Sequence, residues 1–212
     1  MHQLYSFRRC PYAIRTRMIL RYSSIKVELR EIVLNDKPEA MMQLTPKGTV
    51  PVLQLDSSEV LDESRDIIAW ALQQADPENL LYRGQSSLQA QMSSLVDEND
   101  YEFKLWLDRY KYSDRYPQQS QIVYQQRGLE FLTGLNRKLG TNTSLFGSAI
   151  SWADIAIFPF VRQFAFVDKA WFDKQNLEPL QVWLESHLSS ELFLSVMTKH
   201  APWKAGDRPI IL

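Results

Sequence analysis

The sequence changes texture near residue 76, and that change limits what the chain can fold into. Before it, short β-rich runs alternate with helical ones. After it come two long stretches of helical periodicity, 85–112 and 119–139, that meet no proline or glycine before Pro117 and Gly128. In the first part, residues 2–7 read as a strand. Pro11 sits where a helix begins, because the first turn has no use for the N–H that proline lacks. Ile14, Met18, Ile19 and Tyr22 follow at near-helical spacing. Residues 26–33 alternate like a strand, Asn35-Asp36-Lys37-Pro38 is turn chemistry, and 38–42 is one short helix. Runs at 50–55 and 59–61, separated by Asp56-Ser57-Ser58, read as a hairpin. Ser64 is placed as the cap of the next helix, with Ile67, Ile68, Ala71 and Leu72 facing inward. The order β-α-β-α-β-β-α predicts a mixed sheet, a parallel βαβ unit followed by an antiparallel hairpin, with helices on both faces. A polar connector is expected over 76–84 and an all-helical region over 85–212. In that region Ser151 and Asp154 form a capping box ahead of an apolar run at 155–167, and 179–188 is a further helix.

Composition agrees with long helices: seven glycines in 212 residues are too few for a turn-rich all-β fold. The length suits one large domain or two small ones, and a 45% hydrophobic content is enough for a core. With 24 Lys and Arg against 25 Asp and Glu, the net charge is −1, which offers no general polyanion surface; no nucleic-acid partner is expected. The longest apolar stretch, 155–161, is far too short to span a bilayer, so no membrane partner is expected. The first residues lack the apolar core of a signal peptide, and a single cysteine cannot form an internal disulfide. The simplest expectation is a reduced cytoplasmic protein.

That cysteine, Cys10, carries the sharpest chemical signal. It lies at the start of the first helix, where free N–H groups and the positive end of the dipole favour a thiolate. Five arginines (Arg8, Arg9, Arg15, Arg17 and Arg21) and no acid lie within 8–21, pushing the same way. Two readings stand: a reactive thiolate, or a small buried hydrophobe, the commonest fate of a lone cysteine. The arginines, taken singly, read as a solvated helix face. Ala13 occupies the place three residues on, so no second cysteine can resolve a mixed disulfide. A dithiol cycle is excluded, and an external thiol must complete any exchange, with glutathione the abundant cytosolic candidate.

Val50-Pro51 and Glu63-Ser64 are the next signals. Pro51 belongs at a strand edge or start, and a cis bond there would expose the Val50 main chain to a ligand, although cis is the minority isomer in general. Ser64 at a helix start offers a hydroxyl and N–H groups to a carboxylate, and Glu63 can pair with an amine; the plainer reading is an ordinary cap. His2, His187 and His200 have no metal-ligand spacing, so no metal is expected, and no phosphate-binding glycine motif occurs.

Cys10-Pro11-Tyr12-Ala13, Asn35-Asp36-Lys37-Pro38-Glu39, Thr49-Val50-Pro51-Val52-Leu53, Glu63-Ser64 and Ser151-Trp152-Ala153-Asp154 together resemble the cytosolic glutathione transferases, over nearly the whole chain. The resemblance implies an α/β thioredoxin-like, glutathione-binding domain over 1–75, a linker over 76–84 and an all-α C-terminal domain over 85–212. Cysteine at position 10 resembles the omega-like, glutaredoxin-like branch, which performs thiol transfer, deglutathionylation and dehydroascorbate reduction more readily than conjugation. It implies that Cys10 is the catalytic thiolate and that Lys37 neutralises the glycyl carboxylate of glutathione. Val50, beside a cis Pro51, would pair with the cysteinyl main chain, and Glu63 and Ser64 would hold the γ-glutamyl amine and carboxylate. Glutathione is then the cosubstrate, a small electrophile or disulfide the acceptor, and a homodimer the expected assembly. Tyr101, Trp106 and Tyr110 are candidates for the acceptor pocket, although aromatics at helical spacing are more often core. The rival activities are conjugation of glutathione to small electrophiles and a non-enzymatic role as a transcription-machinery partner. An intact Cys10, Lys37 and Glu63-Ser64 set speaks against the second rival.

Overall fold

The computed structural model describes residues 1–212. The chain divides into two compact units: Met1–Glu78 together with Ser190–Leu212, and Asn79–Ser189.

The first unit is built on strands β1 (Gln3–Ser6), β2 (Glu28–Glu31), β3 (Val52–Gln54), β4 (Val60–Leu61) and β5 (Ile210–Ile211), in the order β4-β3-β1-β2-β5. β1 runs parallel to β2, with Leu4 opposite Leu29, and antiparallel to β3, with Leu4 opposite Leu53. β3 and β4 form the hairpin. Its helices are α1 (Pro11–Tyr22), α2 (Glu39–Met42) and α3 (Ser64–Gln74), which carry the element order read from the sequence. α1 and α3 pack together, burying Ile14, Met18, Ile67 and Leu72 with Leu4 and Leu53 of the sheet. Each such side chain withdrawn from water is worth about 1.5–3 kcal/mol. Because side chains alternate along a strand, Tyr5 and Val52 point the other way. There they cluster with Ile32, Val50 and Met41 of α2, and Phe7, Cys10, Leu44 and Trp203 pack against the rim.

Two expectations are corrected here. Residues 85–212 are neither one unit nor wholly helical: Ser190–Leu212 belongs with the first unit, where α10 (Glu191–Ser195) packs on α1 and β5 pairs antiparallel with β2. Ile210 and Ile211 form a strand of two residues, too short for any alternation to be read from sequence, and β2 supplies its ladder partner. Ser64 is not the cap of α3. Glu63 holds that position in extended conformation and Ser64 is the first helical residue.

The second unit contains α4 (Ser86–Glu98), a π-helical turn at Asn99–Phe103, α5 (Lys104–Lys111), α6 (Gln121–Leu139), α7 (Trp152–Ala165), α8 (Lys169–Phe172) and α9 (Glu178–Ser189). α7 is apolar almost all round and is buried along nearly its whole length, as such a helix must be. Gly128 on α6 allows close approach, since a side chain there would collide with the Phe164 ring of α7. Phe103 stacks on Phe131 with centroids 4.6 Å apart and touches Phe164 at 5.6 Å. The capping box at the start of α7 is complete, with Ser151 and Asp154 reciprocally bonded. The Asp154 carboxylate also accepts from Leu145 N–H and Trp183 Nε1–H.

His187 on α9 lies between Phe158, 4.9 Å away, and Trp183, 4.7 Å away. Burial pushes its pKa down to about 4, against the attraction of Asp154. The folded chain therefore keeps His187 neutral where an unfolded chain takes up a proton, near pH 6.5. Its contribution is fully present above pH 6.5 and is lost as pH falls toward 4. Urea midpoints are expected to fall across that window, and His187→Phe is expected to flatten the slope. An identical slope in the variant would assign the acid sensitivity to other groups.

Candidate functional site

All of the sequence-predicted site residues lie in the first unit, and the loop from Thr45 to Pro51 links them. Cys10 immediately precedes the first residue of α1, Pro11, and is held in extended conformation. Its N–H donates to Phe7 O at 3.0 Å, and its carbonyl accepts from Ile14 N–H at 2.9 Å. It is half-buried, and its Sγ–H donates to the Val50 carbonyl across 3.6 Å. The Val50-Pro51 bond is cis, the isomer that general frequencies disfavour. Earlier in the same loop, Gly48 adopts φ +61°, and Lys37 Nζ lies 3.6 Å from where a side chain would begin at that position. Lys47 Nζ bonds Glu63 Oε1 at 2.6 Å and Asp62 Oδ1 at 2.9 Å. The loop thus touches Cys10 through Val50 and Glu63 through Lys47, and Lys37 Nζ lies near its Gly48.

The electrostatics differ from a solvated arginine face. Arg15 and Arg17 are each 1% exposed, because α1 turns them toward the sheet and α3 rather than toward water. Arg15 donates from Nε and Nη2 to Ser64 Oγ, at 3.1 and 2.7 Å. Arg17 gathers the chain ahead of Cys10: it donates to Ser6 Oγ at 2.5 Å, Phe7 O at 3.4 Å and Arg8 O at 2.8 Å. Its Nε donates to Val196 O, at 3.1 Å, in the returning segment. Burial lowers the Arg17 pKa to about 10, while attraction to Glu31 and Cys10 holds it up, so the guanidinium is cationic at neutral pH. Glu31 accepts from Arg8 N–H at 2.7 Å; burial raises its pKa, and that N–H bond and the Arg17 charge oppose the rise. The hydrogen bonds that Lys47 donates to Glu63 and then Asp62 raise its pKa. Asp62 is held low by Thr45 and then Lys47.

Sequence reasoning did not reach Arg17 as a clamp, Arg15 as the partner of Ser64, or Lys47. Neither arginine carried a local signal, because a charged residue on a helix reads as solvated and its partner lies far along the chain. Lys47 carried none, since a lysine in a Pro-Lys-Gly turn reads as solvated.

Of the three acceptor-pocket candidates, Tyr101 is 73% exposed and Trp106 stacks on Tyr124 at 6.4 Å. Tyr110 is buried, its hydroxyl accepting from Gln125 Nε2 at 2.8 Å. It lines an open cavity of about 780 Å³ with Gln121, Gln125, Val167 and Trp171. Tyr101 and Trp106 do not line it.

A βαβ-hairpin-α unit with a cysteine opening its first helix and a cis Val-Pro facing it can be compared with known proteins. Residues 4–79 match the glutathione S-transferase N-terminal domain family, and residues 102–186 match the glutathione S-transferase C-terminal domain family. The chain belongs to the glutathione S-transferase family. Glutaredoxin 2 of Escherichia coli (strain K12) is 39% identical over 66 residues, 31% of this chain and 30% of that protein. Glutathione S-transferase omega-1 of Mus musculus is 39% identical over 80 residues, 38% and 33% of the two chains. Each match spans about a third of the relative's own length. A glutathione transferase family member from Pseudomonas fluorescens, solved with two glutathione bound, superposes with a TM-score of 0.77. It is 17% identical and matches 92% of each chain, a likeness of fold. In the present chain no helix is long and apolar enough to cross a membrane.

Proposed function

We propose that this chain is a cysteine-type, glutathione-dependent thiol transferase of the omega-like, glutaredoxin-like kind. The observation that carries the reading is the placement of its one cysteine: half-buried, immediately ahead of α1, with the buried cationic Arg17 close enough to interact electrostatically. A helix N-terminus and a nearby cation both favour the thiolate, which is the attacking form. The likeness of this region to glutaredoxin 2 and to an omega transferase supports the same reading.

In the first step the Cys10 thiolate attacks one sulfur of a glutathione mixed disulfide. A Cys10–glutathione disulfide forms, the original S–S bond breaks, and the acceptor thiolate leaves with the electron pair. In the second, a glutathione thiolate attacks the glutathionyl sulfur, forming oxidised glutathione and returning Cys10 to the thiolate. Lys37 would neutralise the glycyl carboxylate, and Val50, ahead of cis Pro51, would pair with the cysteinyl main chain. Glu63 and Ser64 would take the γ-glutamyl amine and carboxylate. Glu63 is paired with Lys47 in the free protein, so the ligand's ammonium has to share or displace that lysine. A homodimer and a cytoplasmic location belong to the same reading.

Intact-mass analysis after incubation with oxidised glutathione tests it. One glutathionyl group per chain is expected, mapped to the Cys10 peptide and removed by dithiothreitol. A chain that stays unmodified while denatured controls react would overturn the reading.

A further inference from the structure

We propose that Arg15 is a positioning residue for anion recognition: from the buried side it commits the Ser64 hydroxyl to donate toward the γ-glutamyl carboxylate of glutathione. The inference rests on the glutathione reading above and adds to it a residue that never meets the ligand.

A serine hydroxyl has one proton to give and two lone pairs to receive with. Arg15 Nε and Nη2 both donate to Ser64 Oγ, at 3.1 and 2.7 Å. Both accepting positions are therefore filled, and filled by a group that cannot accept in return. The hydroxyl proton has to point away from the guanidinium. Ser64 is the first residue of α3, and the helix's first backbone bond runs from Ile67 N–H to Glu63 O, at 3.1 Å. The N–H groups of Ser64, Arg65 and Asp66 come before it, in the turn where helices leave donors without intrahelical acceptors. An anion seated there meets a hydroxyl with a fixed sense, a set of N–H groups and a full positive charge one atom behind the hydroxyl.

Burying a guanidinium is costly, so its placement asks for a reason. Arg15 is 1% exposed and Ser64 3% exposed, so the guanidinium side of the hydroxyl is shielded from water. The guanidinium carbon lies 4.9 Å from the centre of the Tyr12 ring, which holds the plane of the fork. A planar fork can deliver two N–H groups to one oxygen; a lysine ammonium in the same place is a point charge with no such fixed direction. Glu63, the neighbouring acid, takes no part in this pair and bonds Lys47 instead. Carboxylate recognition through Arg15 and Ser64 is thereby separate from amine recognition through Glu63.

The test compares two ligands, glutathione and cysteinylglycine, which lacks the γ-glutamyl group, by calorimetric titration. The parent is expected to prefer glutathione. Arg15→Met is expected to weaken glutathione binding by about 10- to 100-fold while leaving cysteinylglycine nearly unchanged, so the preference collapses. Ser64→Ala is expected to do the same, and the double variant to be no worse than the weaker single one, because the two residues act as a unit. A general structural defect would lower both ligands together and leave the ratio intact. A folded Arg15→Met protein that keeps the parent's ratio overturns the positioning role while the glutathione reading stands. A parent with no preference for glutathione overturns both. If Arg15→Met does not fold, Arg15→Lys carries the test. It keeps the charge and loses the fork, so the ratio is expected to fall by roughly threefold or more; an unchanged ratio again overturns the proposal.

Discussion

Cys10→Ser is expected to lower the rate of exchange with a glutathionylated substrate by about three orders of magnitude or more, because the reacting nucleophile itself is removed. Serine matches cysteine in shape, but its hydroxyl does not ionise near neutral pH even with a helix N-terminus and Arg17 beside it. The surroundings are expected to survive. Cys10 touches Val50 O through its thiol, and a hydroxyl can donate to the same carbonyl. Glutathione affinity, carried in the proposed site by Lys37, Val50, Glu63 and Ser64, is expected to change by less than about threefold. Stopped-flow exchange and calorimetry on the same preparations check both halves. Comparable exchange in variant and parent would move the chemistry away from Cys10 and favour conjugation, in which the protein stabilises the thiolate of glutathione rather than its own.

Asp154→Ala is expected to have the largest effect on stability of any single substitution in the second unit. The carboxylate accepts from Ser151 N–H at 2.9 Å, Ser151 O–H at 2.6 Å, Leu145 N–H at 2.8 Å and Trp183 Nε1–H at 2.9 Å. It is 0% exposed, so water cannot replace it. Alanine leaves all four donors without their acceptor, and each orphaned buried donor costs about 1–3 kcal/mol. The expected loss is at least about 4 kcal/mol, a large part of the roughly 5–15 kcal/mol that holds a domain folded. Poor soluble yield and a urea midpoint far below the parent's are the expected results; a loss under about 1 kcal/mol would contradict the account. Asp154→Asn keeps one accepting oxygen and is expected to fall between the two.

The α1 start was legible in sequence because proline after Cys10 allows one reading of the local backbone. The α7 start was legible because Ser151 and Asp154 sit three apart, where each side chain reaches the other's N–H. The hairpin followed from Asp56-Ser57-Ser58 between two apolar runs, and Ser58 does adopt φ +72° there. What escaped were features that depend on distant partners. Arg15 and Arg17 are charged residues on a helix, normally solvated; only Ser64, 49 residues away, and Val196, 179 away, show why these two are buried. The helix expected over 85–112 is interrupted at Asn99–Phe103 by a π-helical turn that brings Phe103 onto Phe131 and Phe164, a packing choice with no local sequence mark. Lys47 escaped for the same reason: its meaning lies in Asp62 and Glu63.

The return of Ser190–Leu212 to the first unit bears on how the molecule is made. The thiol-bearing unit is discontinuous, with Asn79–Ser189 inserted between its two pieces. At a ribosome adding about 5–20 residues per second, several seconds separate the emergence of α3 from that of α10 and β5. During that interval β2 has an open edge, Arg17 Nε has no Val196 carbonyl to meet, and the backbone around Cys10 is only partly clamped. The inserted unit, being contiguous, can finish folding first. The nascent cysteine therefore meets surrounding thiols while its clamp is incomplete, and Ser190–Leu212 completes that clamp.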